Sequence, residues 1–199
     1  MDYLSAKEDL LTVRTNECFR YLTTNNLFLE LGYFYLLSED LSNAKKEFDK
    51  VQDCDIRAHW ANFLVGLIDG KIKYYPSYLE LRNFFECDLD VLMKNYKGDY
   101  VQIIVNYSDF LSNFNGEVNK YIARTFLNNN YKNYAYLYFT KAKGSFYNDP
   151  ELHFLIAQTK YRDGLIEEAI ESANKCLEIL PKYYPALKLI ESVSNGNYL

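Results

Sequence analysis

The strongest constraint on this chain is an internal periodicity. Leu31, Gly32, Tyr35, Ala44, Phe48 and Val51 recur, with 91 added to each number, as Ile122, Ala123, Phe126, Ala135, Phe139 and Ala142. Every position keeps its residue class. Adding a further 34 gives Ile156, Ala157, Lys160, Ala169, Ala173 and Cys176, where only Lys160 changes class and Tyr161 stands beside it. Adding 34 to the first set gives Val65 and Gly66, and the match fades after Ile68. Gly32, Gly66, Ala123 and Ala157 are small where one helix approaches its neighbour closely. Ala44, Ala135 and Ala169 play the same part on a second helix. Large residues between them, such as Tyr35 with Phe48 and Phe126 with Phe139, fill the gaps. Two antiparallel helices cannot bury such faces alone, so the units must stack.

The local pattern is helical throughout. Leu165, Ala169, Ile170, Ala173, Cys176, Leu177 and Leu180 form one broad apolar face, and Glu167, Glu168, Glu171, Asn174, Lys175 and Glu178 lie opposite. This is the i, i+3, i+4, i+7 rule of an amphipathic helix. No strand-length stretch alternates with period two. Pro76, Pro150 and Pro181 fall in polar breaks, and Pro185 suits the first turn of a last helix, where its missing N–H has no partner to lose. Gly98-Asp99, Asn115-Gly116 and Asn195-Gly196 add further breaks. The spacing predicts an all-α chain of about eleven helices, roughly 10 to 20 residues each, joined by short loops.

These residues resemble the tetratricopeptide repeat (TPR), a 34-residue helix–turn–helix with Leu-Gly, Tyr, Ala, Phe, Ala and a closing Pro. The last unit is most similar, with Asp-Gly-Leu-Ile-Glu-Glu-Ala-Ile-Glu from Asp163 to Glu171 and Pro181 after it. The resemblance implies a right-handed α-solenoid of TPR repeats with N- and C-terminal capping helices, one array over residues 1–199. Repeats are expected at 25–58, 59–92, 116–149 and 150–183. Gly66 to Ala123 spans 57 residues, or 34 plus 23, so 93–115 is expected to be an irregular or shortened repeat, with a longer loop around Gly70 to Pro76. Residues 2–22 are expected to form an extra helix within the segment 1–24. Residues 184–199 supply a closing helix and tail.

TPR arrays bind peptides or helices of other proteins in a concave groove lined by the first helix of each repeat. Carried over by position, that groove takes Leu29 and Tyr33, then Trp60, Phe63 and Leu67, then Lys120 and Arg124, then Phe154, Gln158 and Arg162, with Tyr161 facing the same way. Asn26, Leu36, Glu117, Asn128 and Glu151 match the same rows. The resemblance implies an apolar, aromatic N-terminal half centred on Trp60. Its C-terminal half carries cations suited to an acidic segment or a terminal carboxylate. The family's carboxylate clamp needs Lys and Asn across successive repeats. Arg124 stands where Asn belongs, and Leu29 and Tyr33 replace the polar pair, so chaperone tails are not the expected ligand. Three covers compete for Trp60 and Phe63: a partner, the helix 2–22 folding back, or a second copy.

Composition narrows the rest. The chain has 199 residues, of which 20 Tyr, 13 Phe and 1 Trp are aromatic. With 49% hydrophobic and 25% charged residues it is globular rather than disordered. The net charge of −5 is mixed along the chain, with no basic stripe for nucleic acid. Lys71–Lys73 and Lys141–Lys143 read as solvated helix faces. The apolar run Trp60 to Ile68 is broken by Asn62, far short of the ~20 residues of a membrane span. No secretory signal opens the sequence, so a soluble cytoplasmic protein is expected. Cys18, Cys54, Cys87 and Cys176 form no Cys-x-x-Cys pair and read as buried thiols, although Cys54 and Cys87 could sit alike on neighbouring units.

No nucleotide, metalloprotease or hydrolase motif is present, and no catalytic residue, metal ligand or cofactor is expected. Glu86, Asp88 and Asp90, two residues apart, are spread around a helix and read as a solvated face. His59 and His153 are placed by no catalytic motif, and His153 reads as a packing residue.

Three functions follow. The favoured one is a non-enzymatic interaction module or adaptor that captures an apolar or amphipathic segment of a partner protein. The second is a dimeric chaperone-like protein for assembly or secretion of a partner, with the N-terminal helix as dimer contact. The third is an enzyme or metal protein.

Overall fold

A computed structural model describes residues 1–51, 55–73, 75–95 and 100–195, without the side chains of residues 82, 86 and 95. The described residues are helices and loops, with no strand among them. The chain divides into two compact units, Met1–Asn115 and Gly116–Leu199.

The first unit contains α1 (Tyr3–Leu10), α2 (Asn16–Thr24), α3 (Phe28–Leu37), α4 (Leu41–Phe48) and α5 (Ile56–Asp69). There follow the single turn α6 (Tyr78–Glu80), a π-helical stretch Leu81–Phe85, α7 (Glu86–Asn95) and α8 (Tyr100–Ser112). The second unit contains α9 (Val118–Asn128), α10 (Lys132–Ser145), α11 (Pro150–Arg162), α12 (Ile166–Ile179) and α13 (Tyr184–Ser194).

Three helix hairpins, α3–α4, α9–α10 and α11–α12, carry the periodicity. Each turns through one left-handed residue, Glu39 (φ 66°), Asn130 (φ 65°) and Gly164 (φ 76°), and these numbers again differ by 91 and 34. Each turn closes with the same bond five residues back: Asp40 N–H to the Tyr35 carbonyl at 2.9 Å, Tyr131 to Phe126 at 2.8 Å, and Leu165 to Lys160 at 2.9 Å. This closure satisfies a carbonyl that the helix end would otherwise leave bare. Gly164 adopts the left-handed conformation without steric cost; Glu39 and Asn130 adopt it against their Cβ atoms.

Packing inside the hairpins follows the small-against-large rule. A Cβ on Gly32 would lie 2.1 Å from the Phe48 ring, so only glycine lets α3 and α4 approach as they do. Ala123 and Phe139, and Ala157 and Ala173, occupy the corresponding places, all buried. Gly66 behaves differently. Its Cβ would meet the backbone of Lys71 at 3.1 Å and Ile72 at 3.3 Å. The chain turns back on α5 itself there rather than entering a second hairpin helix, which is why the repeat fades after Ile68. Helix α5 is buried nearly all round, with Trp60, Ala61, Phe63, Leu64 and Leu67 at its core. Such a helix forms the interior of its unit rather than one of its faces.

Residues 2–22 are two helices, not one. Thr15 caps α2, and both its backbone N–H and its hydroxyl donate to Asp9. Arg14 stands at φ 57° between them. The helices run from 8 to 14 residues wherever a full helix forms, shorter than the pattern predicts. The Gly98-Asp99 break lies outside the described residues.

Candidate partner-binding site

Helix α11 touches both α9 and α13, so the first helix of each pair meets the next and the second unit has a continuous face. Ion pairs cross it. Lys120 on α9 donates to Asp149 Oδ2 at 2.7 Å and to Glu151 Oε2 at 3.0 Å, and Arg124 Nη2 donates to Glu151 Oε1 at 2.8 Å. Asp149 serves two structures at once. Its other oxygen caps α11, accepting from the backbone N–H groups of Glu151 and Leu152 at 2.9 and 3.2 Å. Burial works against the Lys120 charge, but the bonds to Asp149 and Glu151 outweigh it and hold the ammonium above its ordinary value.

Beside this network Phe154 packs on Tyr183, with ring centroids 5.5 Å apart. Burial and then the Glu151 charge push the Tyr183 phenol upward. Gln158 is half-buried one turn further on, Arg162 is exposed, and Tyr161 is buried. A hollow of about 460 Å3 opens beside Lys120, between Glu117 and the loop Ser145–Pro150.

In the first unit the residues expected in the groove separate. Trp60, Phe63 and Leu67 are core: Trp60 and Phe63 are 0% exposed and Leu67 is 1%. The rings of Phe63, Phe84 and Phe85 surround the Trp60 indole. The expected exposed apolar stretch centred on Trp60 is therefore interior, covered by the helical stretch Tyr78–Asn95 rather than by residues 2–22. Leu29 and Tyr33 on α3 are half-buried and line a cavity of about 210 Å3 with α1, Arg57 and Asp88.

Asp88 is the centre of that region and is itself buried, a correction to the solvated-face reading. Its Oδ2 accepts from the Trp60 indole at 2.6 Å and from the Tyr33 hydroxyl at 2.7 Å, while Oδ1 accepts from Arg57 at 3.0 Å. The Arg57 guanidinium lies between two rings, 5.2 Å from Tyr33 and 4.6 Å from Phe84. Burial, then the Asp88 charge, push the Tyr33 phenol well above its ordinary value. Phe84 and Phe85, neighbours in the π-helical stretch, both reach the Trp60 indole on α5, with ring centroids 6.1 Å away. Asp90 pairs instead with Lys94, and the Glu86 side chain lies outside the described residues.

Arg57, Asp88 and Asp149 are not singled out by the sequence as site residues because each becomes notable only through a partner far along the chain. The Asp-Pro pair at 149–150, a helix-start signal, could have pointed to Asp149. His153 is buried, with Nε2 2.7 Å from the Tyr147 carbonyl. His59 lies 2.6 Å from Glu80. Cys18 and Cys176 are buried thiols, whereas Cys87 is exposed; Cys54 lies outside the described residues. Among the described residues no three His, Cys, Asp or Glu side chains converge as a metal site. None of the described helices is long and apolar enough to cross a membrane. No protein-family model matches the chain, and no match was found to a curated protein or a solved structure.

Proposed function

We propose that this chain is a non-enzymatic, TPR-like interaction module. Its helix pairs stack as a right-handed solenoid, and the face made by the first helices holds a peptide or helix of a partner protein. The observation that carries this reading is the α9–α11 ion-pair ladder beside the Phe154–Tyr183 rings. The ladder fixes a polar-aromatic face in advance, which lowers the ordering cost of binding. The recurrence of the left-handed turn at Glu39, Asn130 and Gly164 supports the repeat assignment. Because Lys120 and Arg124 already have carboxylate partners, the favoured ligand is amphipathic rather than acidic.

The test is quantitative capture by the full chain against the Gln158→Glu/Arg162→Glu variant, which alters the face without touching the core. A partner segment retained by the first and lost by the second supports the reading; equal capture sinks it.

The second reading, a chaperone-like dimer for assembly or secretion of a partner, joined through α1 and the turn after it, draws on the exposure of Leu4 at 76% and Val13 at 72%. Light scattering on Leu4→Asp/Val13→Asp decides it: a dimer that falls to a monomer supports it, and a monomeric parent chain removes it.

A further inference from the structure

The repeat breaks after α5, and the break builds a pocket. Gly70 caps α5 in the left-handed conformation at φ 70°, and the chain then runs back along the helix, with the Lys71 N–H on the Gly66 carbonyl at 3.0 Å. The close pass over Gly66 holds this return segment against α5. Lys71 and Lys73 therefore stand on a folded-back segment and not on a solvated helix face. A half-open pocket of about 230 Å3 lies where α4, α5 and this segment meet.

The pocket is basic in a chain whose net charge is −5. Lys45 of α4, Lys71 and Lys73 line it against one carboxylate, Asp69, which leaves a surplus of two positive charges. These cations are weakly committed. Lys45 pairs with Asp49 at 2.9 Å and Lys71 with Asp69 at 3.3 Å, but all four side chains are at least 41% exposed, and ion pairs so placed contribute little. Among the described residues Lys73 has no ion pair, and the half-buried Asn62 amide, also in the lining, has no hydrogen bond. The last turn of α5 attracts cations to its carbonyls, which accounts for Lys71. It does not account for Lys45, which comes from another helix, or for an idle amide in the same wall.

We propose that this pocket binds a small phosphorylated molecule, with Lys45, Lys71 and Lys73 on the phosphate and Asn62 on a neighbouring hydroxyl. A phosphate monoester carries about two negative charges at neutral pH, which matches the surplus. Lysine ammonium groups meet it as point charges; the planar fork that selects a carboxylate belongs to arginine, and no arginine lines the pocket. The volume is below the roughly 300–1,000 Å3 of drug-sized sites, so it suits a phosphate with a short polar body rather than a helix or peptide. The site is independent of the face of α9, α11 and α13, and the failure of either leaves the other standing.

The test is isothermal titration calorimetry on the full chain at low salt, with ribose 5-phosphate, inorganic phosphate and ribose as probes. Ribose 5-phosphate is expected to bind and ribose is not. Lys71→Gln/Lys73→Gln is expected to weaken ribose 5-phosphate at least about tenfold, the loss of one charged hydrogen bond. Lys143→Gln/Lys182→Gln, the same change of net charge at two exposed positions of the second unit, is expected to leave it unaltered. Asn62→Ala is expected to weaken ribose 5-phosphate and spare inorganic phosphate. Circular dichroism reports that each variant is folded. No heat with ribose 5-phosphate, or equal losses in the two lysine pairs, overturns the proposal and leaves Lys71 and Lys73 as counter-charges to the end of α5. A phosphoserine peptide that binds more tightly than ribose 5-phosphate overturns it too, by moving the ligand from a small molecule to a protein.

Discussion

Trp60 donates its indole N–H to Asp88 across 28 residues of sequence, at 2.6 Å, and both groups are shielded from water. The same carboxylate holds Arg57 and the Tyr33 hydroxyl, so three elements of the first unit meet on one side chain. Asp88→Ala strips Arg57 of its counter-ion and leaves the indole N–H without an acceptor. The expected loss is about 3 kcal/mol, the low end for a buried pair because Arg57 keeps some water. Trp60→Ala, which opens a core void, is expected to cost about 3–5 kcal/mol. Urea unfolding followed by far-ultraviolet circular dichroism checks both. A change under about 0.5 kcal/mol in Asp88→Ala contradicts the described network.

Two glycines give opposite expectations. Gly32→Ala forces a methyl into the Phe48 ring, which is itself buried, and is expected to destabilise by about 1–3 kcal/mol despite alanine's better helix propensity. Gly144→Ala meets nothing within 4 Å, sits near the end of α10, and is expected to stabilise by about 0.5–1 kcal/mol. Thermal unfolding midpoints that move in opposite directions support the packing account.

The hairpins were legible in the sequence because their determinants are short-range and repeated. Gly32 against Phe48 and the turn at Gly164 each depend on residues within one unit. The interior of the first unit was not legible. Trp60 stands at a position that faces the groove in a regular array, and nothing local shows that the stretch Tyr78–Asn95 closes over it. Asp88 misled for the same reason: a carboxylate in a run of acids looks solvated until Arg57, Trp60 and Tyr33 arrive from other helices. The cations Lys120 and Arg124 were visible, but the carboxylates that neutralise them lie about 30 residues away, beyond any helical spacing rule.

Lys120 is predicted to be structural as well as part of the candidate face. Lys120→Met removes charged hydrogen bonds to Asp149 and Glu151, and the expected cost is about 2 kcal/mol because Glu151 remains partly solvated. In a double-mutant cycle with Glu151→Gln the coupling is expected to be about 1 kcal/mol. Additive losses in chemical denaturation would contradict the pairing.

Stability should hold between roughly pH 5 and 9 and fall on both sides. On the acid side, Glu80 is held below its ordinary 4.5: burial opposes this, but bonds from Ser77 and His59 win. Asp163 is held below 3.8, chiefly by Lys132. Depressed carboxylates stabilise the fold fully above those ordinary values, and the contribution is lost as pH falls through the folded ones. On the alkaline side, Lys120 and Tyr33 are raised above 10.5 and 10.0, so their contribution is full below those values and lost as pH rises through the folded ones. Unfolding midpoints measured from pH 2 to 11 check the sign on each side.

The central claim, capture of a partner segment by the face of α9, α11 and α13, is tested most directly by site-specific photo-crosslinking in the full chain. A photoreactive phenylalanine replaces Phe154 on the face, and in a second chain it replaces Tyr134, an exposed ring on α10. The account predicts that the Phe154 position joins one defined amphipathic segment of a partner, identified by mass spectrometry, and that the Tyr134 position does not. Joining the same segments from both positions, or none from Phe154, would contradict it.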